Sequence, residues 1–443
     1  MAGELGISLL SITYGYVASK FVNETTENVV KVFRDAKHQA PCVLFLDEID
    51  SLISKRDGRG SSDNETAKTT NTLLTEILNI RNTGVVVMAA TNFLDRLDQA
   101  AIREGRFDYK IEVPPSDKEA RFLLLQDSLS GLESIVDIDM ESVQRASDRW
   151  EGYSVKRILA VGEEIVSMHG EMVMEYIDLS VIMMALRRVQ GCKGRISPDT
   201  KSIEELILTA ELRQQLNTIA ARMKDIYRVE RLGGTVPTGL LFFGEPGTGK
   251  TETARSLAKE TDWAFLNTSG NDLIMKSGEM DRLVAEAADI RPCIVFIDEA
   301  DDIFTNCKAS NLTSITSKLL AAMDGAQGKV RDVVYIAATN HSDQIDLAAL
   351  RGERFTEKLF FPLPDAAGVA QFVAMWMKKT PAMFSADLTP QAIADMIGNE
   401  FSIANAGAIL QESINTMIGR SVEDGNDQVT EADVRSAMRT ILC

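Results

Sequence analysis

Short runs that are apolar throughout alternate along this chain with longer stretches whose apolar residues recur every three or four positions. GLLFFG (239–244), WAFLNT (263–268), CIVFID (293–298), VVYIAAT (333–339) and KLFFPL (358–363) are runs of the first kind. Continuous apolar runs suit parallel strands buried on both faces, so the predicted class is α/β. Residues 117–190 and 365–442 are runs of the second kind, with Ile158, Val161 and Ile165 on one helical face, and predict mostly helical segments. Between them, residues 196–237 open on a turn signal and predict a helix over 203–228.

The pattern is written twice. PCVLFLDEID (41–50) returns as PCIVFIDEAD (292–301), VVVMAATN (85–92) as VVYIAATN (333–340), and LDQAAIREGRF (97–107) as IDLAALRGERF (345–355). Three motifs in one order at nearly one offset make the repeat a domain, far longer than a solenoid unit. The length of 443 residues also calls for more than one core. The predicted division is an α/β segment at 1–115, a helical segment at 116–195, a linker at 196–235, a second α/β segment at 236–364 and a second helical segment at 365–443.

Between the strand GLLFF and the helical run TETARSLAKE stands GEPGTGKT: Gly244, Glu245, Pro246, Gly247, Thr248, Gly249, Lys250 and Thr251. Strand, glycines, Lys-Thr and helix in that order predict a phosphate-binding loop, in which backbone N–H groups converge on phosphate oxygens at a helix N-terminus. Lys250 is expected to reach the β- and γ-phosphates of ATP, and Thr251 to ligate Mg²⁺. The strand CIVFID delivers Asp298 and Glu299 to the carboxyl edge of the sheet, where open α/β sheets bind ligands. Asp298 is expected to hold Mg²⁺ through water, Glu299 to act as general base on the attacking water, and Asn340 to position that water from the next strand. Arg351 and Arg354, three residues apart, place positive charge where phosphoryl transfer develops negative charge. Asp47, Glu48, Asn92, Arg103 and Arg106 are their counterparts in the first copy, and each arginine pair begins 11 residues after its asparagine.

Composition narrows the setting. The formal charge of −18, from 47 basic and 65 acidic residues, argues against a general nucleic-acid binder. Five scattered cysteines without a C-x-x-C pair suit a reducing compartment. No apolar run approaches a membrane span and the first residues lack a secretion-signal pattern, so the expected location is the cytoplasm.

GEPGTGKT, the two DE boxes, the two AATN segments and the two RxxRF segments together resemble the tandem-module AAA+ ATPases of the valosin-containing protein and N-ethylmaleimide-sensitive fusion factor type. The resemblance implies a homo-hexameric ring with ATP between protomers, arginines acting on the neighbour's site, and pore loops that pull on protein substrates. It places Lys20, Phe21 and Val22 of SKFVNET in the first pore, and Met275 and Lys276 of MKSGEM in the second, where no aromatic stands. Two departures accompany it. The segments GYSVKRI (152–158) and EFSIANA (400–406) carry Val155 and Ile403 near the family's lid glycine. Met1 aligns with Leu257, so the first copy's phosphate loop and first strand would lie before residue 1. The expectation is that the natural protein extends upstream, and that residues 1–110 are either poorly stable alone or leave the strand near Lys110 to Val113 detached from the rest of the sheet. An ATP-driven protein remodeller is the leading reading; the alternatives are a regulatory scaffold that uses ATP as an assembly switch, and a nucleic-acid motor.

Overall fold

The computed structural model describes residues 2–13, 24–53, 62–94, 97, 106–304, 310–324, 330–341, 354–380 and 382–442. The chain forms two compact units, Met1–Pro114 and Pro115–Cys443.

In the first unit, β1 (Ser8–Ile12), β2 (Cys42–Leu46) and β3 (Val85–Ala89) form a parallel sheet in the order β1-β2-β3 among the described residues. Helices α1 (Glu24–His38) and α2 (Ser62–Asn79) cover it, burying Phe33, Leu73 and Ile77 against Leu44 and Leu46. The stretch from Lys110 to Val113 carries no strand, and Tyr109, Ile111 and Val113 are 89 %, 79 % and 87 % exposed.

The second unit starts with a helical segment. It comprises α3 (Lys118–Leu129), α4 (Met140–Arg149), α5 (Val155–Glu171) and α6 (Leu179–Gln190), packed around Leu125, Ile158, Ile165 and Leu186. Asp117, Asp139, Ser154 and Asp178 cap the four helices by accepting from N-terminal backbone N–H groups.

The helix expected over 203–228 is broken. A single 3₁₀ turn at Ile203–Glu205 is closed by a Ser202–Glu205 capping box, residue 206 turns extended, and α7 (Ala210–Lys224) restarts on the Thr209 cap. Ser202 and Thr209 each offer a side-chain oxygen to the backbone, which makes two helix starts where apolar periodicity shows one.

The second sheet contains β4 (Gly239–Gly244), β5 (Ala264–Ser269), β6 (Cys293–Asp298), β7 (Val333–Thr339) and β8 (Glu357–Phe361). All pairs are parallel, in the order β8-β4-β7-β6-β5 among the described residues. Strand alternation sends Leu240, Phe242, Phe296 and Ile336 to one face, under α7 and α8 (Lys250–Thr261), and Leu241, Val295, Ile297 and Tyr335 to the other, under α10 (Glu279–Ile290) and α11 (Ser310–Asp324). A short α9 (Gly270–Met275) follows β5. The chain ends in α12 (Ala366–Lys379), α13 (Pro390–Ile397), α14 (Ile403–Asp424) and α15 (Glu431–Leu442) around a core of Val373, Ile393, Leu410 and Val434.

Candidate nucleotide site

Strand β4, between β8 and β7, runs directly into the glycine loop, and α8 starts from Gly249 at φ 92°. Gly247, at φ 75°, is pressed against the start of α14: a Cβ there would lie 2.6 Å from Ser402 Oγ and 2.7 Å from the Ala404 methyl. Only glycine meets both demands. The Ala404 N–H donates to the Gly247 carbonyl at 3.2 Å, so the second helical segment touches the loop directly.

Lys250 is buried, and its Nζ donates to the carbonyls of Gly244 and Glu245, both at 2.8 Å. Burial pushes its ammonium below the usual lysine range, against the opposing pull of Asp298 and Glu245. Thr248 closes the loop by donating to the Glu245 carbonyl at 2.9 Å; Glu245, Pro246 and Gly247 form its exposed tip. The Thr251 hydroxyl donates to Asp298 Oδ2 at 3.1 Å across the sheet edge. Asp298 Oδ1 accepts the backbone N–H of Glu299 at 3.0 Å, and Glu299 lies exposed in the left-handed region at φ 50°. Asn340 follows the last residue of β7, the strand paired with β6, and so stands at the same carboxyl edge.

The first unit repeats part of this geometry. Glu48 has φ 51° and donates its N–H to Asp47 Oδ1 at 3.0 Å. Thr91 and Thr339, each before its asparagine (Asn92 and Asn340), accept the N–H two residues on at 3.0 and 2.9 Å.

Arg354 is fixed by two-pronged hydrogen bonds to Asp324 at the end of α11, 2.9 and 2.6 Å long. Arg106 is half-buried. Met275 ends α9 and is 77 % exposed, whereas Lys276 turns back to pair with Asp272 at 2.8 Å. Lys20, Phe21, Val22, Arg103 and Arg351 lie outside the described residues.

The sequence pattern of the ATPase family associated with various cellular activities (AAA) matches residues 1–115 and 240–363, more than half of the chain. The chain belongs to the AAA family. Its two matched segments are the two copies of the α/β unit. Among similar proteins, the Cell division cycle protein 48 homolog of Archaeoglobus fulgidus is 26 % identical over 470 residues, covering 100 % of this chain and 63 % of that protein. Protein SAV of Sulfolobus acidocaldarius is 27 % identical over 472 residues, covering 99 % of this chain and 59 % of its own. Protein CdcH of Halobacterium salinarum is 27 % identical over 473 residues, covering 100 % and 62 %. This AAA chain thus spans about three fifths of the length of these relatives.

Family membership implies nucleotide binding, and a cleft of about 180 Å³ lies beside the glycine loop. Its apolar walls come from Ile207, Leu208, Phe372, Trp376 and Ile403; Thr248 and Gly249 connect it to the loop. The hydroxyl of Thr253, in the same lining, is buried without a hydrogen-bond partner. The sequence reading missed these wall residues. Ile207 and Leu208 were hidden in the helix predicted over 203–228; Phe372 and Trp376 keep helical spacing and read as core. Ile403 is the first residue of α14, capped by Ser402, and faces the cleft where the resemblance expected glycine. Its counterpart Val155 starts α5 in the same way, capped by Ser154, but is exposed.

The donors also suit Mg²⁺. Thr251 and Asp298 supply hard oxygens, few enough to leave room for phosphates and waters, as Mg²⁺ requires. Among the described residues no group of three His, Cys, Asp or Glu could hold a metal, and no helix is long and apolar enough to cross a membrane.

Proposed function

We propose that this AAA chain hydrolyses ATP in its second copy, residues 236–364, and works as a homo-hexameric remodeller of protein substrates. The observation that carries the reading is the Thr251–Asp298 hydrogen bond at 3.1 Å, with Lys250 buried behind it and Glu299 held beside it. In this reading Lys250 exchanges its two carbonyl partners for phosphate oxygens. Thr251 and Asp298 hold Mg²⁺, which neutralises charge on those oxygens when bound. Glu299 takes the proton of the attacking water, and Asn340 orients that water. Arg351 and Arg354 approach the γ-phosphate of a neighbouring protomer, with Arg103 and Arg106 as their first-copy equivalents. Glu48 and Asn92 keep the catalytic positions of the first copy. Residues 116–195 and 365–443 act as lids and 196–235 as the linker. Lys20, Phe21 and Val22, with Met275 and Lys276, line the substrate path. The name of one similar protein, the Cell division cycle protein 48 homolog, supports a role of that kind.

Isothermal titration of Lys250→Ala with ATP tests the site. The variant is expected to lose tight binding, because it removes the one side-chain cation the loop supplies. Binding equal to the parent's would show that the phosphate site is misassigned.

A further inference from the structure

We propose that the first helical segment, residues 117–190, is a clamp on the second sheet that positions its catalytic strands. The inference rests on the reading of that sheet as the site of ATP hydrolysis. The clamp closes on the N-terminal ends of β6 and β7, the two strands whose carboxyl ends carry Asp298, Glu299 and Asn340.

Its centre is the turn Arg291-Pro292 that leads into β6. The Tyr153 hydroxyl donates to the Arg291 carbonyl at 3.0 Å, and Gln190 Nε2 donates to the same oxygen at 3.1 Å. Arg187 donates to the carbonyl of Ile290 at 2.8 Å and also to that of Pro292. The Arg291 guanidinium returns to the Glu151 carbonyl. The guanidinium groups of Arg157 and Arg291 lie 4.5 and 4.7 Å from the Tyr153 ring centre, and Arg157 pairs with Asp289 at 2.7 Å. Tyr153 is 3 % exposed and Arg291 7 %. This contact is therefore built and desolvated, unlike a pair of surface charges.

The second grip is on Asp332, the residue before β7. Arg149 Nε donates to both its carboxylate oxygens at 2.8 and 2.9 Å, its Nη2 also reaches that carboxylate, and Nη1 reaches Glu230 at 3.2 Å. Asp332 holds φ 65°, and its carbonyl accepts the N–H of Cys293, which stitches the starts of β6 and β7 together at 2.9 Å. From Cys293 to Asp298 the strand is six residues of fully buried sheet up to its last residue, a stiff span of roughly 20 Å. A shift at its start has few ways to dissipate before it reaches Glu299. Arg187 also donates to the carbonyl of Asp262 at the C-terminal end of α8, at 3.2 Å, whereas the glycine loop stands at the opposite end of that helix and takes no part in these contacts.

The test uses the full chain with Arg149→Gln, Asp332→Asn, the double variant and the milder Tyr153→Phe; asparagine tolerates the positive φ at 332. ATP affinity is read by titration, kcat and KM by steady-state turnover, and Cys293 by mass-spectrometric thiol labelling. Cys293 is buried behind the turn and burial pushes its thiol up to about 12, so it reacts only when the clamp opens. We expect kcat to fall about ten- to a hundredfold in Arg149→Gln and Asp332→Asn, as misplacement of reacting groups gives. The double variant should be no worse than either single one, since both remove one contact. ATP affinity should stay within about twofold of the parent, and Cys293 should label faster. Faster labelling with unchanged kcat would overturn the clamp as a positioning device. So would losses in kcat, affinity and melting temperature that move together, the signature of mere destabilisation. If the parent binds ATP without turning it over, the proposed function fails. Hydrogen exchange at residues 297–299 then decides the clamp by itself: faster exchange in the variants supports it and unchanged exchange overturns it.

Discussion

Glu48 and Glu299 share a backbone conformation that a residue with a Cβ seldom adopts, at φ 51° and 50°. In both, the preceding aspartate accepts the glutamate's own N–H at 3.0 Å, which holds the turn and aims the side chain outward. Strain of this kind costs about 1–3 kcal/mol and persists where the surroundings enforce it. Glu299→Gly should relieve it, so the variant should melt no lower than the parent even as turnover disappears; a clear loss of melting temperature would mean that the carboxylate, not the turn, stabilises the strand end. Lys250 gives a pH prediction. Burial depresses its ammonium, and phosphate charge would raise it again. ATP binding should therefore take up a proton above the depressed value, and affinity should fall as pH rises through it. Titrations in buffers of different ionisation enthalpy, carried out at increasing pH below the ordinary lysine range, measure the uptake; its absence would place the lysine away from the phosphates. Arg354 is held by Asp324, and their hydrogen bonds raise the pKa of the arginine and lower that of the aspartate. Both groups are partly exposed, so the pair contributes little to stability.

At the scale of elements, the two sheets differ in what their strands lean on. In the second, β4 lies between β7 and β8 and every central strand has two partners. In the first, β3 pairs with β2 on one side, and its other edge meets no strand among the described residues. Amides of β3 that point to that edge should exchange faster than those of β7, and residues 109–113 should exchange as free chain; protection of 109–113 equal to β8 would contradict this. Much of this architecture is legible beforehand. Strands buried on both faces, such as CIVFID and VVYIAAT, are apolar throughout, and the DE and AATN segments end them. Less legible are features set by partners distant in sequence. Asp332 and Arg149 stand 183 residues apart and give no local signal. The extended stretch at 206–208 hides within helical periodicity until Ser202 and Thr209 cap separate turns. The ion pair of Lys276 with Asp272, one helical turn back, is a further contact that the sequence reading did not name.

For the whole molecule, an AAA chain with two α/β units carries the nucleotide site proposed for the second of them. Its assembly is tested by mixing. Arg351→Ala and Lys250→Ala protomers should each be inactive alone and regain part of their turnover when co-assembled, since one would donate the arginine and the other the phosphate loop. No recovery in proven mixed rings would count against action across protomers. The most direct test of the central claim is ATP turnover by the full chain beside its Glu299→Gln variant, with ATP affinity measured on both. The account predicts turnover in the parent, ATP affinity in the variant within about twofold of it, and a loss of at least about a hundredfold in turnover, because an amide cannot take the proton. Equal turnover in the two proteins would contradict it.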